Sequence, residues 1–251
     1  MNLGRHSVLG VGIDAVDYDE AVAQIVAAAK EGRWFGVAAL PVHSVMTAAL
    51  DPSFAVEIEH MGLRVPDGQP VRWALRVLHG VKLADRVYGP ELMLRLCARA
   101  AADDTPVFLF GSRPDVLALL QERLRSRFPT LRIAGTATGP DGPSADTPRD
   151  EDLRAISASG AKMMFVALGC PKQEQWTART RDRLAMPVIA VGAAFDFHAG
   201  TMAQAPAFLQ RLGLEWLFRL AREPRRLWRR YLLLNPAYVA LIAAQRVLGR
   251  R

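Results

Sequence analysis

Short apolar runs alternate with helical patterns along most of the chain. In the first helical pattern, Ala21, Ile25 and Ala29 recur at the spacing that places them on one face. The pattern predicts strands at 8–13, 34–40, 63–66, 106–110, 131–136, 162–168 and 187–191, and helices at 18–30, 42–60, 69–78, 89–102, 114–128, 150–159 and 172–184. Strands that alternate with helices form βαβ units. We therefore predict an α/β protein with a Rossmann-like, mainly parallel sheet and helices on both faces.

The composition changes sharply near residue 205, at Gln204-Ala205-Pro206. Residues 201–251 hold ten arginines and two acidic residues, a balance of +8, whereas the whole chain carries +7. The residues before them are thus nearly neutral. We predict a Rossmann-like domain over 1–205 and a helical appendage over 206–251. Within the domain, the stretch 139–150 is rich in Pro, Gly and Asp and is predicted to be a surface loop.

The appendage mixes arginine with aromatic residues and leucine. It shows an apolar stripe and a basic face, which are formed by Leu209, Leu212, Trp216 and Leu220, and by Arg219, Arg222, Arg226 and Arg229. This mixture suits the boundary where anionic headgroups meet hydrocarbon. A solvated basic face and a nucleic-acid site are the alternatives. The clustered Trp, Tyr and Leu residues and the nearly neutral body favour an anionic membrane surface over nucleic acid.

A membrane-spanning helix needs about 20 apolar residues, and no such run is evident. The nearest candidate, 231–245, is uncharged, but it has only 15 residues and contains Asn235-Pro236. It is predicted to lie at an interface or against protein. The N-terminus makes a poor signal peptide, and Cys97 and Cys170 show no pairing pattern. These features predict a reducing, cytosolic location.

In open α/β sheets, ligands bind beyond the carboxyl ends of the strands. The strand-end loops, which are therefore the candidate site, cover 40–43, 66–69, 110–113, 169–174 and 192–197. Several of them carry a glycine just before a helix, where backbone N–H groups can bind phosphate.

Two residues near these loops have both a structural and a functional interpretation. Asp67, in Asp67-Gly68, is either a helix cap or turn residue or a general base in a cleft. Arg86 is either a surface residue or a fixed guanidinium that binds a diphosphate. The sequence alone leaves these alternatives open.

Three weaker signals favour structural explanations. Gly10-Val11-Gly12 resembles a dinucleotide fingerprint, but its glycines lie inside an apparent strand. Asp17 and Asp19 resemble the Asp-x-Asp of metal-dependent sugar transferases, but their place before a helix favours capping. The five histidines show no ligand spacing, so the sequence supports no metal site.

Six motifs follow one another along the chain. They are Val-Pro-Asp-Gly at 65–68, Asp-Arg-Val-Tyr-Gly-Pro-Glu-Leu at 85–92, Phe-Gly-Ser at 110–112, Gly-Cys-Pro-Lys-Gln-Glu-Gln-Trp at 169–176, Val-Gly-Ala-Ala-Phe-Asp-Phe-His-Ala-Gly at 191–200, and Gly-Leu-Glu-Trp-Leu-Phe-Arg-Leu at 213–220 with the arginine cluster after it. Each motif is weak alone. In this order and spacing, the chain resembles the WecG/TagA/CpsF glycosyltransferases, glycosyltransferase family 26, over nearly its whole length.

The resemblance implies an inverting transferase in the synthesis of exopolysaccharide, capsule, teichoic acid or common antigen. The sugar would pass from a UDP-sugar donor to a polyprenyl-diphosphate-linked saccharide, with no metal and no cofactor. The enzyme would sit peripherally at the inner face of the bacterial cell membrane. The resemblance leaves the oligomeric state undecided, with a homo-oligomer as one alternative.

The resemblance also assigns roles to residues. Asp67 matches the family's proposed general base, Arg86 its motif arginine and Gln173 its glutamine near the donor. The other residues predicted at the donor or its diphosphate are Gly68, Gly111, Ser112, Gly169, Pro171, Glu174, Gly192, Phe195, Asp196, Arg219, Arg226 and Arg229.

The chain departs from the family pattern at two places. The family commonly has Thr-Pro-Asn where this chain has Ala39-Leu40-Pro41, followed by His43, and Arg-Ala-Pro where this chain has Gln204-Ala205-Pro206. The donor sugar, the acceptor and the linkage are therefore left open. Two rival functions are a non-catalytic module that binds a membrane or nucleic acid, and a nucleotide-dependent oxidoreductase.

Overall fold

A computed structural model describes residues 1–140, 142 and 144–249. Asp141 and Pro143 of the predicted surface loop, and Arg250 and Arg251 of the basic appendage, lie outside the described residues. The strands are β1 (Asn2–Val8), β2 (Val11–Val16), β3 (Phe35–Leu40), β4 (Leu63–Pro66), β5 (Val107–Gly111), β6 (Ile133–Ala137), β7 (Met163–Ala167) and β8 (Pro187–Ala190).

The helices in the first four-fifths of the chain are α1 (Tyr18–Glu31), α2 (Val42–Leu50), α3 (Pro52–Glu59), α4 (Gln69–His79), α5 (Gly89–Ala102), α6 (Pro114–Arg127), α7 (Asp150–Ala158), α8 (Lys172–Arg179) and α9 (Ala194–Ala199). Those that follow are α10 (Ala207–Arg211), α11 (Glu215–Arg222), α12 (Pro224–Trp228), a π-helical turn (Arg229–Leu233) and α13 (Leu234–Leu248).

Six strands form one parallel sheet in the order β4-β3-β8-β7-β5-β6. Alternate residues of each strand point to opposite faces. Val37 and Ala39 of β3 pack in one core with α1, α5, α6 and α9. Ala38 and Leu40 pack in a second core with α2, α3 and α4. Because apolar side chains cover both faces, the strands read as nearly continuous apolar runs. The predicted α/β Rossmann-like fold is confirmed.

The N-terminal strand is the clearest correction to the predicted elements. The sequence predicted one strand over 8–13, but the chain reverses at Leu9 and Gly10, which have φ angles of 53° and 84°. β1 and β2 form an antiparallel hairpin apart from the main sheet. The prediction failed because the apolar run continues through a turn that requires positive φ at both residues.

The helices predicted over 42–60 are α2 and α3, because Asp51 ends the first and caps the second by accepting from the backbone N–H groups of Ser53 and Phe54. One predicted helix differs in extent. The helix predicted over 172–184 ends at Arg179. A new helix begins at Pro224, where proline occupies the first turn.

The C-terminal segment forms a longer helix than the sequence indicated. α12, the π-helical turn and α13 join into one helix over Pro224–Leu248, which is long and apolar enough to cross a membrane. The π-helical turn ends at Leu233, with one residue between it and Asn235-Pro236, where proline removes one N–H from the helical ladder. α13 packs on α2 and α4 and buries Tyr238 and Ile242. Only 11% of the residues in the most apolar stretch of this long helix are buried in the protein.

Trp176 anchors α8 beneath the carboxyl end of the sheet. Its side chain is fully buried, and its ring stacks on Phe110 of β5 with centroids 4.5 Å apart. We expect Trp176→Ala to lower the free energy of unfolding by about 3–5 kcal/mol, because the lost contacts leave a cavity. Urea denaturation measures this change. Trp73→Ala is the matched control, because Trp73 is 44% exposed; its expected cost is about 1 kcal/mol or less. Equal losses in both variants would contradict the anchoring role.

Candidate functional site

A cavity of about 380 Å³ lies at the carboxyl ends of four adjacent strands, β4, β3, β8 and β7. The loops after these strands supply one wall, and α11 and the helix that begins at Pro224 supply the other. Of the residues predicted at the site, those that line the cavity are Asp67, Gly68, Arg86, Gly169, Gln173, Glu174, Gly192, Asp196, Arg219 and Arg226. The fold therefore brings together motifs that lie far apart in sequence.

Asp67 follows β4 and faces the cavity. Gly68, with φ of 100°, is the N-cap of α4 and has no side-chain capping bond. Asp67 is thus not the cap of this helix. Its Oδ2 instead accepts from the backbone N–H of Gly89 at 3.4 Å. Burial raises the pKa of Asp67 to about 6, and the nearby Glu215 carboxylate adds to this, while Arg86 and Arg219 oppose it. A carboxyl with this pKa is suited to accept a proton near neutral pH.

Arg86 is buried, with 6% of its surface exposed, which excludes the surface interpretation. Its Nη2 donates to Glu215 Oε2 and to Gln210 Oε1, both at 2.9 Å. The guanidinium also lies 4.1 Å above the ring centroid of Tyr88. Arg86 therefore ties the loop before α5 to α10 and α11.

Tyr88 and Glu215 complete this network, and sequence reasoning missed both. The Tyr88 hydroxyl donates to Glu215 Oε1 at 2.8 Å and accepts from Gln204 Nε2 at 3.2 Å. Burial raises the pKa of Tyr88, and Glu215 raises it further, so the phenol stays protonated and donates. One signal could have found Glu215: it is one of only two acidic residues in the strongly basic segment 201–251.

Gln173 and Glu174 lie in the first turn of α8, at the β7 end of the cavity. Gln173 Nε2 donates to Glu174 Oε1 at 3.0 Å, and Gln173 Oε1 accepts from the backbone N–H of Gly169 at 3.2 Å. Burial raises the pKa of Glu174 to about 7, against the lowering effect of the Gln173 hydrogen bond and Arg230. The cavity thus holds two carboxyl groups, Asp67 and Glu174, with raised pKa values.

Three arginines of the C-terminal segment line the cavity: Arg219, Arg226 and Arg230. Arg229 is exposed, and its guanidinium lies 5.2 Å from the ring centroid of Trp228. Helical spacing predicted Arg229 and missed Arg230. The regular spacing fails because Glu223 interrupts the helix, with φ of −132°, and a π-helical turn starts at Arg229. Each of these two irregularities changes the helical phase, so the residues after it lie on a different face of the helix.

The remaining predicted residues, Gly111, Ser112, Pro171 and Phe195, are not among the described residues that line the cavity. Ser112 turns its backbone N–H toward β7 and donates to the Ala167 carbonyl at 3.1 Å. A Cβ at Gly111 would lie 2.7 Å from the same carbonyl. Phe195 is fully buried in the core. Their contact with a donor stays a prediction.

The residues behind the weaker sequence signals have structural roles. Gly10 and Gly12 belong to the β1–β2 hairpin and not to a strand–helix turn, so they lack the context of a dinucleotide fingerprint. Asp17 is the N-cap of α1 and accepts from the backbone N–H of Glu20 at 3.0 Å. In the part of the chain that the structure describes, no group of three or more His, Cys, Asp or Glu side chains is placed to hold a metal ion.

The parallel sheet and this cavity define a Rossmann-like α/β protein whose strand ends carry acidic and basic groups in one cleft. A sequence model of the glycosyl transferase WecG/TagA/CpsF family matches residues 6–251, and the chain therefore belongs to this family. Membership identifies a glycosyltransferase of cell-surface polysaccharide synthesis, a class that acts at the membrane with a sugar-nucleotide donor and a lipid-linked acceptor.

The Arg86–Glu215 pair gives a direct test of how the C-terminal segment is held. We expect Glu215→Ala to lower the free energy of unfolding by about 3–5 kcal/mol, because it removes the carboxylate that pairs directly with a buried guanidinium and leaves only the longer-range attraction of Asp67. Urea denaturation measures the loss. Glu91→Ala is the control, since Glu91 pairs with Arg95 at a site where both side chains are over 40% exposed; its expected cost is at most about 1 kcal/mol.

A double variant separates loss of the charge pair from loss of packing. Arg86→Met combined with Glu215→Leu removes both charges and keeps apolar volume, so we expect it to be more stable than Glu215→Ala alone. A double variant that is less stable than the single variant would contradict the proposed cause.

Proposed function

We propose that the protein is an inverting glycosyltransferase that moves a sugar from a UDP-sugar to a polyprenyl-diphosphate-linked saccharide. The observation that carries this proposal is the placement of Asp67, with a raised pKa, in one cavity with Arg86 and three arginines of the C-terminal segment. The pathway would be that of an exopolysaccharide or a related cell-surface polymer.

In the proposed mechanism, Asp67 takes the proton from a hydroxyl group of the acceptor sugar. That oxygen attacks the anomeric carbon of the donor from the face opposite the diphosphate. The bond between the anomeric carbon and the diphosphate oxygen breaks, and UDP leaves with the bonding electron pair. Attack from the opposite face inverts the anomeric configuration.

Negative charge develops on the leaving diphosphate, so positive groups stabilise the transition state there. Arg219 and Arg230 both have a buried Nε without a hydrogen-bond partner among the described residues, and both line the cavity with Arg226. A guanidinium matches phosphate oxygens in geometry as well as charge. These arginines support a mechanism in which protein side chains supply the positive charge that a metal provides in other transferases.

Arg86 has a different place in this scheme. Its Nη2 is already bonded to Glu215 and Gln210, and its charge lowers the pKa of Asp67. We therefore propose that Arg86 tunes Asp67 and positions α11, in addition to any contact with the diphosphate. Gln173, which is bonded to Gly169 and Glu174, is proposed to support the loop that faces the donor.

The surface of the C-terminal segment supports a peripheral position at the inner face of the bacterial cell membrane. Exposed apolar side chains lie beside exposed arginines, namely Phe208, Leu212, Leu217, Trp228, Leu232, Leu233 and Val239 beside Arg211, Arg222, Arg225 and Arg229. Such a surface can insert apolar side chains below anionic headgroups. We propose that 206–251 is a membrane-binding appendage on a catalytic domain formed by 1–205.

The base assignment predicts a specific loss of activity. We expect Asp67→Asn to lower kcat by about 10²–10⁴-fold, because the amide cannot accept the proton. Release of UDP from a UDP-sugar in the presence of a polyprenyl-diphosphate-linked saccharide measures the rate. UDP binding by calorimetry is the control and should stay near the wild-type value. Near-wild-type turnover would exclude Asp67 as the base.

The same assignment predicts a pH dependence. Asp67 must be ionised to act, and its pKa is about 6, so kcat/KM should be constant above this pH and fall about tenfold per pH unit below it. A pH–rate profile of the wild-type enzyme tests the prediction. A profile without an acidic limb between about pH 5 and pH 7 would contradict it.

The membrane proposal predicts that exposed arginines control vesicle binding. We expect combined Arg222→Gln, Arg225→Gln and Arg229→Gln to weaken binding to phosphatidylglycerol vesicles roughly a hundredfold, since each basic residue contributes about 1 kcal/mol near an anionic surface. The control combines Arg125→Gln, Arg127→Gln and Arg154→Gln, which change the net charge equally on exposed positions of the domain. Equal losses in both triple variants would indicate a nonspecific charge effect and overturn the proposed surface.

A further inference from the structure

The β7 end of the cavity holds buried polar atoms that the fold leaves without partners. Among the described residues, Glu174 Oε2, His43 Nδ1 and Arg230 Nε have no hydrogen-bond partner, and all three side chains line the cavity. Glu174 is fully buried. A buried polar atom without a partner lowers stability. A cluster of such atoms around one cavity therefore points to a ligand that completes them.

The local structure holds the Glu174 carboxyl group mainly through one of its oxygens. Oε1 accepts from Gln173 Nε2 at 3.0 Å. The Cys170 thiol, a weak donor, interacts with the carboxyl group and lowers its pKa, while its Sγ accepts from the Ser44 hydroxyl at 3.2 Å. Because Gln173 is in turn bonded to Gly169, the carboxyl group has little freedom to rotate, and among the described residues no nitrogen or oxygen donor pairs with Oε2 in the wall of the cavity.

His43 presents a neutral imidazole to the same space. Burial and the charge of Arg230 lower the pKa of His43 to about 4, so the ring is uncharged at neutral pH. A neutral imidazole has one donor and one acceptor nitrogen. Its Nδ1 can therefore form one hydrogen bond with a ligand without adding charge to the cavity.

The balance of charges favours a neutral ligand rich in hydroxyl groups. The ionised Glu174 carboxylate disfavours an anion in direct contact with it, so the proposed diphosphate lies toward the arginines of the C-terminal segment, and Arg230 disfavours a cation. A hydroxyl group can donate to Glu174 Oε2 and either donate to or accept from the imidazole. We propose that Glu174 and His43 form a subsite that binds hydroxyl groups of a sugar ring and determines which sugar the enzyme accepts.

The position of the subsite fits a sugar that reacts at Asp67. His43 follows β3, and Asp67 follows β4, the neighbouring strand. Adjacent strands lie about 5 Å apart, so a sugar ring can reach from His43 to Asp67. Glu174 follows β7, and the contact of 3.2 Å between the Ser44 hydroxyl and Cys170 Sγ joins its loop to the helix that carries His43. The subsite rests on the proposed glycosyltransferase reaction, and the sugar it binds belongs to the donor or to the acceptor.

Glu174→Gln tests the subsite, because the amide keeps an oxygen for Gln173 but replaces the free acceptor oxygen with an NH₂ group. Binding of UDP and of a panel of UDP-hexoses is measured by calorimetry, and KM is measured with a polyprenyl-diphosphate-linked saccharide. A decrease of roughly tenfold or more in the affinity for a UDP-hexose, with an unchanged affinity for UDP, supports a donor subsite. A rise of roughly tenfold or more in KM for the acceptor, with unchanged affinity for the UDP-hexoses, supports an acceptor subsite.

The inference is overturned if Glu174→Gln changes neither the affinity for any UDP-hexose nor the KM for the acceptor. It is also overturned if the substitution weakens the binding of UDP as much as that of the UDP-hexose. Failure of the proposed function is a distinct result, since the wild-type enzyme would then turn over no UDP-sugar. His43→Leu should reduce the same affinity as Glu174→Gln, and His43→Asn, which keeps a polar atom near the Nδ1 position, should restore part of it. Equal effects of the two His43 variants would exclude a hydrogen-bonding role.

Stability distinguishes a ligand subsite from a structural role. A buried carboxylate with a free oxygen opposes folding, so Glu174→Gln should leave Tm at about pH 8 unchanged or higher. A lower Tm together with unchanged sugar affinity would show that Glu174 is structural. Thr177→Val is the matched control, because Thr177 is buried on the same helix and does not line the cavity, and its Oγ1 also has no hydrogen-bond partner among the described residues. We expect it to change neither the affinities nor KM.

Discussion

The buried ion pair between Arg86 and Glu215 joins the parallel sheet to the basic C-terminal segment, and the candidate site depends on it. Removal of either charge would leave the other in a low-dielectric environment without its directly bonded partner. Tyr88 and Gln210 share the same interaction and fix the direction of both charged groups. With α11 held in this way, Arg219 faces the cavity, and the helix that starts at Pro224 continues along its wall.

The pair also affects the chemistry of Asp67. Arg86 lowers the pKa of Asp67, whereas Glu215 and burial raise it. The docked C-terminal segment brings both Glu215, which raises the pKa of Asp67, and Arg219, which lowers it by less. Docking of this segment therefore brings its arginines to the cavity and, at the same time, changes the pKa of Asp67. In the proposed function, the same segment faces an anionic membrane, so the site would be complete where the lipid-linked acceptor is found.

Much of the fold could be predicted because local patterns determine it. The buried parallel strands are short apolar runs between helical patterns, and the helix over 89–102 lies at its predicted bounds. The same reasoning failed at Leu9-Gly10 and at Arg229–Leu233, where the backbone adopts a turn and a π-helical geometry within an otherwise regular pattern. The second failure changed the candidate site, because it exchanged Arg229 for Arg230 at the cavity wall.

The sequence by itself determined the α/β class, the basic segment and the motifs that carry Asp67, Arg86 and Gln173, since these depend on residue type, order and spacing. Only the tertiary structure decided that Asp67 is not a helix cap, that Arg86 is buried against Glu215, and that Glu174 and His43 retain unpartnered atoms at the cavity. The physical reason is that pairing, burial and pKa depend on neighbours in space. Glu215 lies 129 residues from Arg86 in the chain, and no local sequence pattern indicates that the two side chains are in contact.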